Sequence, residues 1–187
     1  MEIKEIINPR YIENSAVDCD VWFDGQPQPV PYTATPDDTS TIGKRIWLEL
    51  QSGKWGKIAP FTVTPELIAA AKDAKKMEIE AWRAEQESQP FTFEWNGRTW
   101  NAGPDSMARL YPAVMASKSD TARKTMVWGD AENQQVKLSM QKLDELLTAM
   151  AQAQVDRNDE IYRRQREMKD ELNSLEDLNS VRNFIVE

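Results

Sequence analysis

The stretch FTFEWNGRTW, Phe91 to Trp100, admits few backbone paths. Phe91, Phe93 and Trp95 alternate with Thr92 and Glu94, the period of a strand with one apolar face. Asn96-Gly97 is the dipeptide that best tolerates the positive φ angles of a type I′ turn, so a two-residue loop returns the chain on itself. The loop length sets the register: Trp95 faces Arg98, Glu94 faces Thr99 and Phe93 faces Trp100, with Phe93, Trp95, Arg98 and Trp100 on one face. Such a face is expected to pack against a helix. The competing expectation is an aromatic platform, with Trp95 and Trp100 stacking on a ligand.

Around this hairpin the pattern implies an α+β protein in four segments. Residues 1–63 read as a small β domain: AVDCDVWF, GKRIWLEL and GKIAPFTV are strand-like runs, separated by Asp24-Gly25, Ser52-Gly53 and the proline-rich GQPQPVPYTATPDD, a loop that can lie on a sheet edge. Residues 64–89 read as a linking amphipathic helix, from about Pro65 to Gln86, with Thr64 as cap, Pro65 at the first helical position and Glu66 in the first turn. Residues 90–138 hold the first hairpin, a helix over DSMARLYPAVMASKS capped by Asp105 or Ser106 and shortened or kinked at Pro112, and a second hairpin in which TMVWG and QQVKLS flank DAEN. The two hairpins are expected to share one four-stranded sheet.

Residues 139–187 are a long helical pattern and a tail. Met140, Leu143, Leu147 and Met150 keep a 3-and-4 spacing that continues through Ile161, Met168, Leu175 and Leu178, with a polar middle, QAQVDRNDE. Continuous from Ser139 to about Asp177, it would be about 60 Å long at about 1.5 Å per residue, more than a domain of this size buries. Its apolar positions must be covered by a partner or second copy, as in a coiled coil, or by the chain's own domains.

Charge and missing residue types exclude several functions. The net charge is −8, and acids outnumber bases in each of 1–63, 64–103 and 104–187, so no basic surface is expected for a nucleic acid. Arg163, Arg164 and Arg166 are interrupted by acids and read as a solvated helix face. The chain has no histidine and one cysteine, which excludes Ser-His-Asp and Cys-His catalysis and His-containing zinc sites; no GxxxxGK[ST] or GxGxxG loop is present, so no cofactor is implied. What remains is carboxylate chemistry. Asp37-Asp38 reads as a turn after Pro36, or else as an acid site; Asp18 and Asp20 read as the polar face of a strand, with Cys19 buried behind them. No apolar run reaches the length of a membrane helix, and MEIKEIINPRY lacks the layout of a secretory signal, so synthesis in the cytosol is expected.

In order along the chain, FEWNGRTWNAGPDSMARL, WGDAENQQVKLSMQKLDELLTAM and EMKDEL resemble an uncharacterised domain family of bacteriophage tail and tail-fibre assembly proteins. The positions that carry the resemblance are Phe93, Trp95, Asn96, Gly97, Trp100, Asp105, Ser106, Trp128, Glu132, Asn133, Leu138, Leu143, Leu146 and Leu147, within about Phe91 to Lys169. Ala102-Gly103-Pro104 departs from the family's pattern. INPRYIENSAVDCDVWFDGQPQPVPYTATPDD with GKRIWLELQSGKWGKIAPFTV is similar to the N-terminal β segment that precedes tail-fibre assembly domains. The resemblance implies a non-enzymatic protein of a tailed phage or prophage, a tail-fibre assembly chaperone or a minor part of the tail, made in the host cytoplasm, with no catalytic residues to carry over. Contact surfaces are then expected at Trp22, Trp47 and the proline-rich loop, and at Ile161, Met168, Leu175 and Leu178. The competing class is a carbohydrate-binding or hydrolytic module using Trp95, Trp100 and Asp37 or Asp38.

Overall fold

The computed structural model describes residues 2–119 and 124–187, and the chain divides after Thr64 into two units. The content is α+β, with an antiparallel sheet near the N-terminus, several helices and a long helix near the C-terminus.

In the first unit, strands β1 (Ile3–Tyr11), β2 (Val17–Phe23) and β3 (Val30–Ala34) form a three-stranded antiparallel sheet in that order. β2 alternates strictly, burying Val17, Cys19, Val21 and Phe23 while Asp18, Asp20 and Trp22 face outward. β1 has no clean alternation because its ladder shifts between Ile3 and Glu5 and again between Ile7 and Arg10, where Asn8 takes φ 55°. β3 runs through the proline-rich loop at the sheet edge, where Pro31 needs no outward donor.

GKRIWLEL is a helix, not the expected strand: α1 spans Thr41–Gln51. Ser40 caps it, its Oγ accepting from Gly43 N–H at 2.9 Å. Ile46 and Leu50 are buried against the sheet, each contributing about 1.5–3 kcal/mol, well above the fraction of a kcal/mol that separates their helix propensities from alanine's. Packing therefore decides. GKIAPFTV is not a strand either: only Ala59 bridges, its N–H donating to Pro9 O at 2.9 Å and its O accepting from Tyr11 N–H at 2.8 Å, and Pro60 brings no donor to extend the ladder.

The second unit is built on α4 (Met140–Ser174). Ser139 caps it, Oγ accepting from Lys142 N–H at 3.1 Å. Its N-terminal half buries Leu143, Leu146 and Met150 against both hairpins and α3 (Pro104–Ala116). Its C-terminal half buries Met168 and Leu172 against α2 (Pro65–Ser88) and the short α5 (Leu178–Arg182). The polar middle falls between these cores, where Arg157 lies 5.1 Å over the Phe91 ring and donates to Gln86 O at 3.3 Å. The helix is not continuous to Asp177: Leu175 is extended, and the Asp177 carboxylate accepts from Asn179 and Ser180 N–H to start α5.

The first hairpin, β4 (Phe91–Trp95) with β5 (Arg98–Ala102), has the expected register, with Asn96 at φ 51° and Gly97 at φ 72°. The second joins β6 (Thr125–Gly129) to β7 (Gln135–Ser139). The hairpins do not merge into a four-stranded sheet; each is a separate two-stranded sheet. Gly103, not Asp105, occupies the cap position of α3, and the helix runs through Pro112 to Ala116. At Gly103 φ is 107° and a side-chain carbon would fall 3.1 Å from Pro90 Cα, so the close approach and the conformation both require glycine.

Candidate functional site

Trp100 is 1% exposed, and its indole N–H donates to Trp95 O at 3.0 Å. The two rings meet edge to face at 6.0 Å, in the same core as Leu110, Val114 and Leu146. The aromatic face is thus core, and the functional interest of this unit lies on its rim.

The rim is organised by Asp130, a residue the sequence reading does not single out. It is nearly buried, its Oδ1 accepting from Gln134 N–H at 2.8 Å and Glu132 N–H at 3.0 Å and its Oδ2 from Arg98 Nη1 at 2.9 Å. Burial would raise the Asp130 carboxyl, but the Gln134 amide, Arg98 and the Glu132 amide outweigh it and hold the group below the usual carboxylate range. Beside the Arg98 ion pair, one backbone bond ties the turn so fixed to the first hairpin, Ala131 N–H to Thr99 O at 2.9 Å. In a hairpin closed by the pair Trp95 and Arg98, alternate residues turn their backbone groups outward, so Thr99 and Asn101 both present theirs away from β4. Thr99 O is used by Ala131, whereas the Asn101 N–H and C=O have no backbone partner among the described residues.

Beside Asn101 the two hairpins and the first turn of α3 enclose a cleft of about 380 Å³, lined by Asn101, Ser106, Arg109, Trp128, Asp130 and Asn133. A smaller recess, lined in part by Gly103, Pro104, Asp105, Ser106 and Arg109, adjoins it. Ser106 is 8% exposed, yet its hydroxyl makes no hydrogen bond among the described residues. Arg109 forms no ion pair among the described residues, although Asp105 lies one turn before it. The cleft can converge hydrogen bonds on a small group, but no base is bonded to the Ser106 hydroxyl to make it a nucleophile.

Other candidate residues lie elsewhere. Trp22 is half-buried on the outer face of β2, its indole donating to Gln26 O at 3.0 Å, with Lys4 4.6 Å over the ring. Trp47 packs on the first unit's core. Ile161, Met168 and Leu178 are buried and Leu175 is partly buried, all within the second unit, so the C-terminal seam is covered by the chain's own helices. Asp38 accepts from Tyr32 Oη at 2.7 Å and from Ser40 N–H and Oγ at 2.8 Å; the Tyr32 bond first, then Ser40, lowers its carboxyl. It braces a turn, and Asp37 is exposed beside it. Asp18 accepts from Thr33 Oγ1 at 2.7 Å and Asp20 from Asn8 Nδ2 at 3.1 Å, and burial, with Asp20 and Asp18 nearby, raises the Cys19 thiol to about 11. Among the described residues no three His, Cys, Asp or Glu side chains gather as a metal site would need, and no helix is long and apolar enough to cross a membrane.

No curated protein and no solved structure shows significant similarity to the chain. A family model does match, over residues 70–185, which takes in nearly all of the second unit and none of the first. The matched range takes in the α4-centred body and its rim, and the chain belongs to the family described as a domain of unknown function, DUF4376.

Proposed function

We propose that the protein is a non-enzymatic component of a tailed phage or prophage that binds a tail or tail-fibre protein, either during assembly or as a minor structural part of the tail. The observation that carries this reading is where the residues resembling phage tail proteins fall. Phe93, Trp95, Trp100, Trp128, Leu138, Leu143, Leu146 and Leu147 belong to a single core, while Asp105, Ser106, Glu132 and Asn133 sit on the rim above it. The first unit adds surface suited to a protein partner: β3 has an unpaired outer edge, Val30 there is 42% exposed, and Trp22 lies on the outer face of the sheet.

Co-purification with the tail and fibre proteins of the same phage tests the reading. Capture of one of them, in a fixed ratio, is the expected result; failure to capture any would sink it. Mass spectrometry of purified virions then separates the two roles: a structural part is present in every particle, and an assembly chaperone is absent.

The carbohydrate-binding reading loses its ring platform, because Trp100 is closed off by the core and Trp95 is packed against it.

A further inference from the structure

We propose that the cleft between β5, β6 and the start of α3 is a recognition site for a carboxylate, that of an acidic side chain on an extended peptide. The inference rests on the reading that the chain binds another protein, and names the chemistry it would recognise.

Three observations converge. The first turn of α3 offers the N–H groups of Asp105 and Ser106, which have no partner, at the positive end of a helix dipole. Ser106, more than nine-tenths buried as a residue, lines the same space, and its hydroxyl, without a protein partner among the described residues, is left to meet whatever occupies the cleft. Arg109, one turn on, lines both the cleft and the adjoining recess and pairs with no acid among the described residues, whereas Arg98 is already held by Asp130. Two amides, a hydroxyl and a guanidinium around one space match a planar carboxylate.

Charge selects among anions. Among the described residues Arg109 is the one unpaired cation lining the cleft, so its single charge is neutralised by one carboxylate and exceeded by a dianionic phosphate, and its planar fork matches the two oxygens of a carboxylate. A single negative charge is the better balance. The open edge of β5 favours a peptide as its carrier: Asn101 presents a free backbone N–H and C=O beside the cleft, which pair with an extended chain and not with a sugar ring.

The test is an amide-resolved NMR titration of the full chain with N-acetyl-glutamate amide, its glutamine analogue, glucuronate and inorganic phosphate. Saturable shifts of the Asp105 and Ser106 amides are expected with the glutamate compound. Binding should weaken at least tenfold for the glutamine analogue and for Arg109→Gln, and several-fold for Ser106→Ala, while Arg163→Gln on α4 leaves it unchanged. Non-saturating shifts, equal response in Arg109→Gln, or tighter binding of phosphate or glucuronate would overturn the assignment. If a fibre protein is captured equally by wild type and Arg109→Gln, the carboxylate site falls and the functional reading stands. If the glutamate compound binds saturably but no fibre protein is captured, the site stands alone.

Discussion

Arg83 Nη1 donates to Gln165 Oε1 at 3.0 Å across the packed faces of α2 and α4, and Gln165 Nε2 donates onward to Glu80 Oε2 at 2.9 Å. Gln165 is 2% exposed, a buried polar residue one turn from Ile161 and Met168. Both ends of its amide are satisfied, and Lys169 and Glu87 hold the charges on either side. A sliding of one helix along the other would leave a buried amide without partners, so the pair fixes register as well as contributing stability.

Gln165→Ala is expected to destabilise the protein by about 2 kcal/mol, since it opens a cavity and strips Arg83 and Glu80 of a buried partner. Urea unfolding followed by circular dichroism measures this. Gln165→Met, which fills the volume, should recover stability but permit alternative packing, visible as broadened NMR resonances of Ile161 and Met168.

Asp130 gives the acid limb of stability. Its folded carboxyl lies below the ordinary value of 3.8, so its contribution is fully present above that value and is lost as pH falls through the lower folded one. Asp38 and Asp177, also lowered, act in the same direction. The melting temperature of Asp130→Asn should therefore lie below wild type from about pH 5 upward, and the gap should shrink below about pH 4. A gap that does not change with pH would mean that only the geometry of the turn matters.

The first hairpin was legible because everything that fixes it is local: Asn96-Gly97 sets the turn and the turn sets the register. α1 was not. Ile46, Leu48 and Leu50 alternate as a strand would, but Leu48 is 68% exposed while Ile42, Ile46 and Leu50 keep helical spacing, and what decides between the periods is Ser40 capping and burial against a sheet elsewhere in sequence. β1 was hidden by its shifts of register at Glu5 and Asn8. The seam of α4 was visible, but its cover was not, because α2 is separated from it by both hairpins. The rim was legible only in pieces: Asp105, Ser106 and Asn133 stood out as words, whereas Asn101 and Arg109 acquire meaning only once Ala131 bonds Thr99 and brings two turns together.

Cys19 reports on opening of the first unit. Its sulfur donates to Tyr32 O at 3.6 Å behind the sheet, and burial raises the thiol to about 11, so little thiolate exists at pH 8 and reagents do not reach it. Maleimide labelling at pH 8 is expected to be at least a hundredfold slower than in urea. Ile46→Ala, which loosens α1 on the same core, should accelerate it, whereas Met168→Ala, in the second unit, should leave it unchanged.

Trp100 separates a core role from a binding role. As a core residue, 1% exposed and bonded through its indole to Trp95 O, it is predicted to cost about 3–5 kcal/mol on replacement by alanine. Trp100→Phe keeps most of the volume but leaves Trp95 O without that donor, and should cost less. Thermal unfolding of the two variants therefore gives a ranked loss of stability. A ring reserved for a ligand would behave in the opposite way: replacing it would leave the melting temperature unchanged and remove binding alone. An alanine variant as stable as the wild type would return Trp100 to the surface and reopen the platform reading.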